Sequence, residues 1–262
     1  MYAFDYQRPA SVKDAVALSG DETVFLAGGQ TLIPTLKQRL RQASVMIDLG
    51  AIPELRGITV TADTVTIGAM TCHADVAMSP DVRAAIPGLA SLAGQIGDLQ
   101  VRNCGTLGGS IANNDPAADY PAALVALNAV VHTNTRTLPA EDFFTGMFET
   151  ALAPGELVVK VVFPKPRRSA FAKFRNPASR YAIAGVFVAE TGDGIRVAVI
   201  GAGPGVFRIP AMEEVLTKDF SVAALTGIAV DADGLNEDMH ATAAYRAHLI
   251  GVLAARAVTS LT

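Results

Sequence analysis

The 262-residue sequence has no tryptophan and only two cysteines, Cys72 and Cys104. Two thiols make no disulfide framework, which points to a reducing, cytoplasmic compartment. Nor can they supply the four thiolates that each iron–sulfur cluster needs. The four histidines, His73, His132, His240 and His248, show no Cys/His spacing for zinc. Charge is scarce as well: 18% of residues are charged, the formal net charge is -4, and no basic block occurs. Nucleic acid is therefore a poor partner, because neutralising phosphates needs clustered Lys and Arg. No apolar run is long enough to span a bilayer, and the opening MYAFDYQRPA lacks the basic and apolar regions of a signal peptide. Gly-x-Gly-x-x-Gly, the P-loop and the Gly-x-Ser-x-Gly nucleophile elbow are all missing.

Half of the residues are hydrophobic, enough for real cores in one large domain or two modest ones. TVFLA (23–27) and VMIDL (45–49) read as strands, with a helical stripe of Leu32, Ile33, Leu36 and Leu40 between them. GITVTADTVTIGA (57–69) reads as a hairpin. A second helical stripe runs from Ile86 to Leu99, and Leu124–Val131 is apolar again. Pro164-Lys165-Pro166-Arg167-Arg168 breaks the texture as a linker, with Arg167-Arg168 a solvated charge pair. AIAGVFVAE (182–190) and IRVAVIGAG (195–203) flank Thr191-Gly-Asp-Gly194, a hairpin signal. A long helix is predicted over roughly 236–258, with Tyr245, Leu249, Val252 and Leu253 on one side. The whole is an α+β chain of two domains.

Two glycine-rich stretches stand out. Ala27-Gly28-Gly29-Gln30-Thr31 joins a strand to a helix, where free amides and the helix dipole favour an anion such as a diphosphate. A tight turn explains the same residues without a ligand. The other stretch, CGTLGGSIANNDPAADYP (104–121), packs three glycines and two carboxylates into eighteen positions and reads as a loop. Thr106 and Ser110 offer small hydroxyls there. Asp119 begins the next apolar run, as an N-cap or as a carboxylate for ribose hydroxyls. Asp115, before Pro116, suits a turn. Cys72 and Cys104 suit small buried packing positions.

Together these segments resemble a family. AGGQTLIPTLKQRL, IGAMTCHADV, IGDLQVRNCGTLGGSIANNDPAADYPAALVALNA, LPAEDFFTGMFETALAPGELVVKVVFP, FAKFRNPASRYAIAGV and YRAHLIGVLAARAV are similar, in order, to the medium, FAD-binding subunit of molybdenum hydroxylases. That group includes bacterial xanthine dehydrogenases and aerobic carbon monoxide dehydrogenase. The resemblance implies an FAD-binding domain of the vanillyl-alcohol-oxidase (PCMH) type over 1–165. A small C-terminal α/β domain with an antiparallel sheet follows over 168–262. It implies a molybdopterin-bearing large subunit and a small subunit with two 2Fe–2S clusters, assembled as a dimer of heterotrimers. This chain would take electrons from the clusters to FAD and deliver them to an external acceptor. Ala27, Gly28, Gly29, Gln30, Thr31 and Leu32, with Thr106, Gly108, Gly109 and Ser110, would hold the FAD diphosphate, and Asp119 the ribose. Leu157, Lys173 and Tyr181 would lie near the isoalloxazine, Lys173 and Tyr181 acting in the redox step. Gln30-Thr31 stands where His-Ser is common in the family, and Ser110 where Asn is common; both keep hydrogen-bonding groups. A free-standing FAD oxidase or dehydrogenase of the same fold, and an FAD-binding scaffold without turnover, are the competing functions.

Overall fold

The computed structural model describes all residues from 1 to 262. Near the N-terminus, Asp5–Gln7, Val45–Asp48 and Thr23–Leu26 form a small parallel sheet with Val45–Asp48 in the middle. Thr23–Leu26 runs straight into the first glycine turn, and the Leu32–Lys37 helix follows. An antiparallel sheet comes next, in the order Ile58–Val60, Thr64–Gly68, Val158–Pro164, Val130–Thr133, Thr137–Pro139. Six short helices lie between His73 and Ala126 in sequence, and one of them, Leu107–Asn113, packs on this sheet. A two-stranded ribbon, Phe144–Gly146 with Glu149–Thr150, lies between the strands of that sheet in sequence.

After Lys165–Arg167 the chain enters a four-stranded antiparallel sheet of Arg168–Arg175, Ala182–Thr191, Gly194–Ile200 and Phe207–Arg208. Strand residues alternate between faces, and both faces here are covered. Phe187, Ala189, Ala198 and Ile200 join the core of the preceding helices. Val186, Val188, Val197 and Val199 pack instead under Pro210–Lys218 and Ala243–Thr259. That double burial is why AIAGVFVAE is apolar throughout rather than alternating. No helix is long and apolar enough to cross a membrane.

Several expectations need correction. The stretch 104–121 is not one loop: half of it lies in helices, Leu107–Asn113 and the start of Tyr120–Ala126. The stripe from Ile86 to Leu99 is broken after Pro87–Gly94 by a turn in which Gly97 has φ +49°. The last helix starts at Ala243, not 236, because Thr242 caps it and Asn236 is tied to Gly203 O at 2.7 Å. Tyr245 is exposed, off the buried Leu249–Leu253 face. Arg168 is no solvated linker charge: it binds Glu190 at 2.6 Å and lies over the Phe220 ring. Cys104 is exposed rather than packed.

Candidate cofactor site

The glycines bring three segments together. A Cβ on Gly28 would stand 2.2 Å from the Cys104 carbonyl oxygen, and one on Gly108 would stand 2.5 Å from Ala69 Cβ. Gly28 thus seats the first turn on the second segment, and Gly108 seats the Leu107–Asn113 helix on the end of Thr64–Gly68. Gly29, at φ +68°, turns the chain in the left-handed region that favours glycine. These close approaches form one side of a cleft of about 780 Å³. All fourteen residues predicted for the site line it: Ala27 through Leu32, Thr106, Gly108, Gly109, Ser110, Asp119, Leu157, Lys173 and Tyr181.

The two glycine segments are not equivalent. At the start of the Leu107–Asn113 helix every amide is already taken. Leu107 N–H donates to Thr71 O, Gly108 N–H to Ala69 O, Gly109 N–H to Thr106 Oγ1 and Ser110 N–H to Thr106 O. The segment's contribution is therefore its side chains and its shape. In the first turn, by contrast, the amides of Gly28, Gly29, Gln30, Thr31 and Leu32 have no protein acceptor, and Gln30 folds its side chain back onto Gly28 O. Five successive unbonded N–H groups beside a cleft are suited to an anion.

Farther along the cleft, Asp119 does not cap its helix. Lys173 reaches across from Arg168–Arg175 and its Nζ lies 2.7 Å from Asp119 Oδ2, both side chains being almost wholly buried. Burial pushes the Asp119 carboxyl up to about 6, against the pull of Lys173. Asp119 Oδ1 is buried without a partner and so keeps an acceptor free. Leu157 is held by its backbone: its N–H donates to Asn134 Oδ1 at 2.9 Å and its carbonyl accepts from Asn134 N–H. The adjacent Glu156 accepts from Thr133, Thr135, Arg136 and Ala153 N–H. Those bonds, Arg136 foremost, hold it far below the usual carboxylate range. At the rim, Tyr181 is half exposed and follows Arg180, whose φ is +63°.

Sequence reasoning missed His73. It lies buried at the base of the cleft against Tyr120, with ring centroids 5.3 Å apart. Burial, then Arg102, lowers it to about 4, so it is neutral at physiological pH. Its position inside the TCHADV stretch was the available signal. Asp115, assigned to a turn, does accept from Ala117 N–H at 2.9 Å, and it also lines the cleft. No cluster of three or more His, Cys, Asp or Glu side chains is placed to hold a metal ion.

A cleft walled by an unbonded amide turn, small hydroxyls, a buried carboxylate with one free oxygen and a rim tyrosine defines a binder of a large, anionic, ring-bearing cofactor. Residues 2–166 match the profile of the FAD binding domain in molybdopterin dehydrogenase, and the chain belongs to that family. It is 35% identical to the nicotine 6-hydroxylase medium subunit of Paenarthrobacter nicotinovorans, over 98% of this chain and 96% of that one. It is 36% identical, with the same coverage, to the carbon monoxide dehydrogenase medium chain of Hydrogenophaga pseudoflava. Among solved structures it is similar to that organism's carbon monoxide dehydrogenase, with a TM-score of 0.87 over 98% of this chain and 96% of the other. Quinoline 2-oxidoreductase from Pseudomonas putida 86 superposes with a TM-score of 0.89 at 27% identity, over 99% and 96%.

Proposed function

We propose that the chain is the FAD-carrying electron-transfer subunit of a molybdenum hydroxylase, working in the cytoplasm. Its domains are a PCMH-type FAD-binding unit over 1–165 and a C-terminal unit over 168–262. Its partners are a molybdopterin-bearing large subunit and a small subunit with 2Fe–2S clusters, in a dimer of heterotrimers. Bound FAD would supply the exchange of electrons between those clusters and an external acceptor. The observation that carries this reading is the unbonded amide turn, Gly28–Leu32, opening on the same cleft as Asp119, Lys173 and Tyr181.

The protein's own groups divide the work. The Gly28–Leu32 amides hold the diphosphate, and the Thr31 and Ser110 hydroxyls offer it further donors. Thr106, Gly108 and Gly109 shape the wall beside that turn. Asp119 accepts a ribose hydroxyl on Oδ1 while Oδ2 holds Lys173. Leu157, fixed by Asn134, packs on the isoalloxazine. Lys173 sets the charge near the ring, and Tyr181 covers one face and gates the acceptor. The test is reduction of bound flavin by the hydroxylase substrate. Reduction only when the partner subunits are present supports the reading. Reduction by the chain alone would make it a free-standing dehydrogenase, and no reduction even in the complex would make it a scaffold.

A further inference from the structure

All seven residues of the helix Tyr120–Ala126 are buried. So short a helix does not hold itself together in water, and Asp119, which precedes it, gives it no side-chain cap. Its position is set by what grips it. Two cations of the C-terminal sheet do so, one at each end. Phe171, Ala198 and Ile200 lie on the sheet face that joins the core of the preceding helices. Lys173 and Arg196, each two residues from one of these, share that face. Lys173 meets the N-terminal end of the helix through Asp119, at 2.7 Å. Arg196 meets the C-terminal end, donating from Nε to Val125 O at 3.1 Å. The signs suit the helix dipole, with a carboxylate at its start and a guanidinium at its end.

Arg196 is itself anchored. It is almost wholly buried, and its Nη2 donates to Glu141 Oε1, on the Ala140–Phe143 helix that precedes the linker. Glu141 Oε1 also accepts from Arg208 Nη1 at 2.8 Å. Glu213 takes Arg208 Nε and Nη2 at 2.8 and 2.6 Å, and the Val197 N–H at 2.9 Å. Two guanidiniums and two carboxylates balance, and none of the four side chains lines the cleft. The cluster therefore has no charge left to offer a ligand. Its route to the cleft is the bond to the helix that Asp119 begins.

We propose that Arg196, anchored by Glu141, is a positioning residue for the cofactor site: it fixes the far end of the Tyr120–Ala126 helix and so holds Asp119 against Lys173. The proposal rests on FAD occupying the cleft with Asp119 at a ribose hydroxyl. Arg196 neither lines the cleft nor bonds Asp119, so its effect on the flavin passes through the helix.

FAD affinity and flavin potential, measured on the full chain, test this. Arg196→Met should weaken FAD binding by roughly threefold or more, but by less than about twofold in an Asp119→Ala background, where its route is gone. Losses that multiply in the double variant would overturn the proposal. The midpoint potential at saturating FAD adds a sign. Deleting a distant cation by itself lowers the potential, whereas drawing Asp119 away from Lys173 leaves that cation less balanced and raises it. A rise in Arg196→Met supports the proposal, and a fall or no change overturns it. Arg196→Lys keeps the charge but replaces the separate Nε and Nη2 donors with one ammonium. It should raise the potential too, and it carries the test if Arg196→Met does not fold. Arg208→Met breaks the same cluster without removing a bond to the helix, and should leave FAD binding within about twofold of wild type. A loss equal to that of Arg196→Met would make the cluster a general fastening between the sheets and overturn the proposal. A wild type that binds no FAD would refute the cofactor assignment, and amide exchange in the FAD-free chain then decides the grip. The amides of residues 122–127 should exchange faster in Arg196→Met than in Arg208→Met, and equal rates would overturn it.

Discussion

Asp119 and Lys173 form the most consequential contact in the cleft, because both side chains are buried and their opposite charges meet there. The Asp119 carboxyl titrates at about 6 in the folded chain against an ordinary value of 3.8. A carboxyl raised on folding favours the folded state when protonated. Its contribution is therefore present below about pH 4 and is lost as pH rises through 6, by on the order of 3 kcal/mol. Urea unfolding of wild type and Asp119→Asn between pH 4 and 7 checks this. The wild type should lose stability relative to the variant as pH rises, and parallel profiles would contradict it. The pair's effect on bound flavin has opposite signs for its two members. Lys173→Met removes a cation and should lower the midpoint potential, whereas Asp119→Asn leaves that cation unbalanced and should raise it, both read by spectroelectrochemistry. Tyr181→Ala should keep FAD and change the rate of flavin reoxidation.

At the scale of elements, the glycines act mainly through packing. Gly28→Ala would drive a methyl into the Cys104 carbonyl, whereas a Cβ on Gly20 meets nothing within 4 Å. Thermal or urea unfolding should show Gly28→Ala destabilised by about 1–3 kcal/mol and depleted of flavin, with Gly20→Ala within about 0.5 kcal/mol of wild type. The turn that presents Leu157 depends on Glu156. Glu156→Gln weakens the charged bond to Arg136 and should cost roughly 1.5–3 kcal/mol at neutral pH. Because the Glu156 carboxyl is depressed on folding, that cost should shrink as pH falls below about 4.5. The same elements explain what could be read from the amino acids. Strands 23–26, 45–48 and 64–68 were legible because β-branched and apolar residues recur there between turn residues. The helix at 107–113 was not, because Gly108 and Gly109 lower helix propensity. Its stability comes from tertiary packing on Ala69, from the Thr106 cap, and from Asn114, which ends it at φ +42° and binds Gly146 O and Glu149 O. Of these, only the Thr106 cap is local in sequence; Ala69, Gly146 and Glu149 are distant.

Across the whole molecule, the change at Pro164–Arg168 marks where the chain passes between sheets, but the core does not stop there. Phe171 and Phe187 of the last sheet pack in the same cluster as Leu89, Leu92 and Tyr120. The cleft inherits that continuity: the amide turn comes from one end of the chain, and Lys173 and Tyr181 from beyond the linker. The membership of the site was legible through a resemblance spread over nearly the full length. The division of labour within it was not, since hydrogen-bond occupancy at 28–32 and at 107–110 depends on which strands and helices pack beside each turn. The central claim, that the cleft holds FAD with its diphosphate on the first turn, is tested most directly by amide hydrogen exchange with and without saturating FAD. The amides of Gly28–Leu32 should exchange freely in the FAD-free chain and become strongly protected when FAD is added, while those of Leu107–Ser110 are protected in both states. Unchanged exchange at Gly28–Leu32 in a chain that has bound FAD would contradict the account.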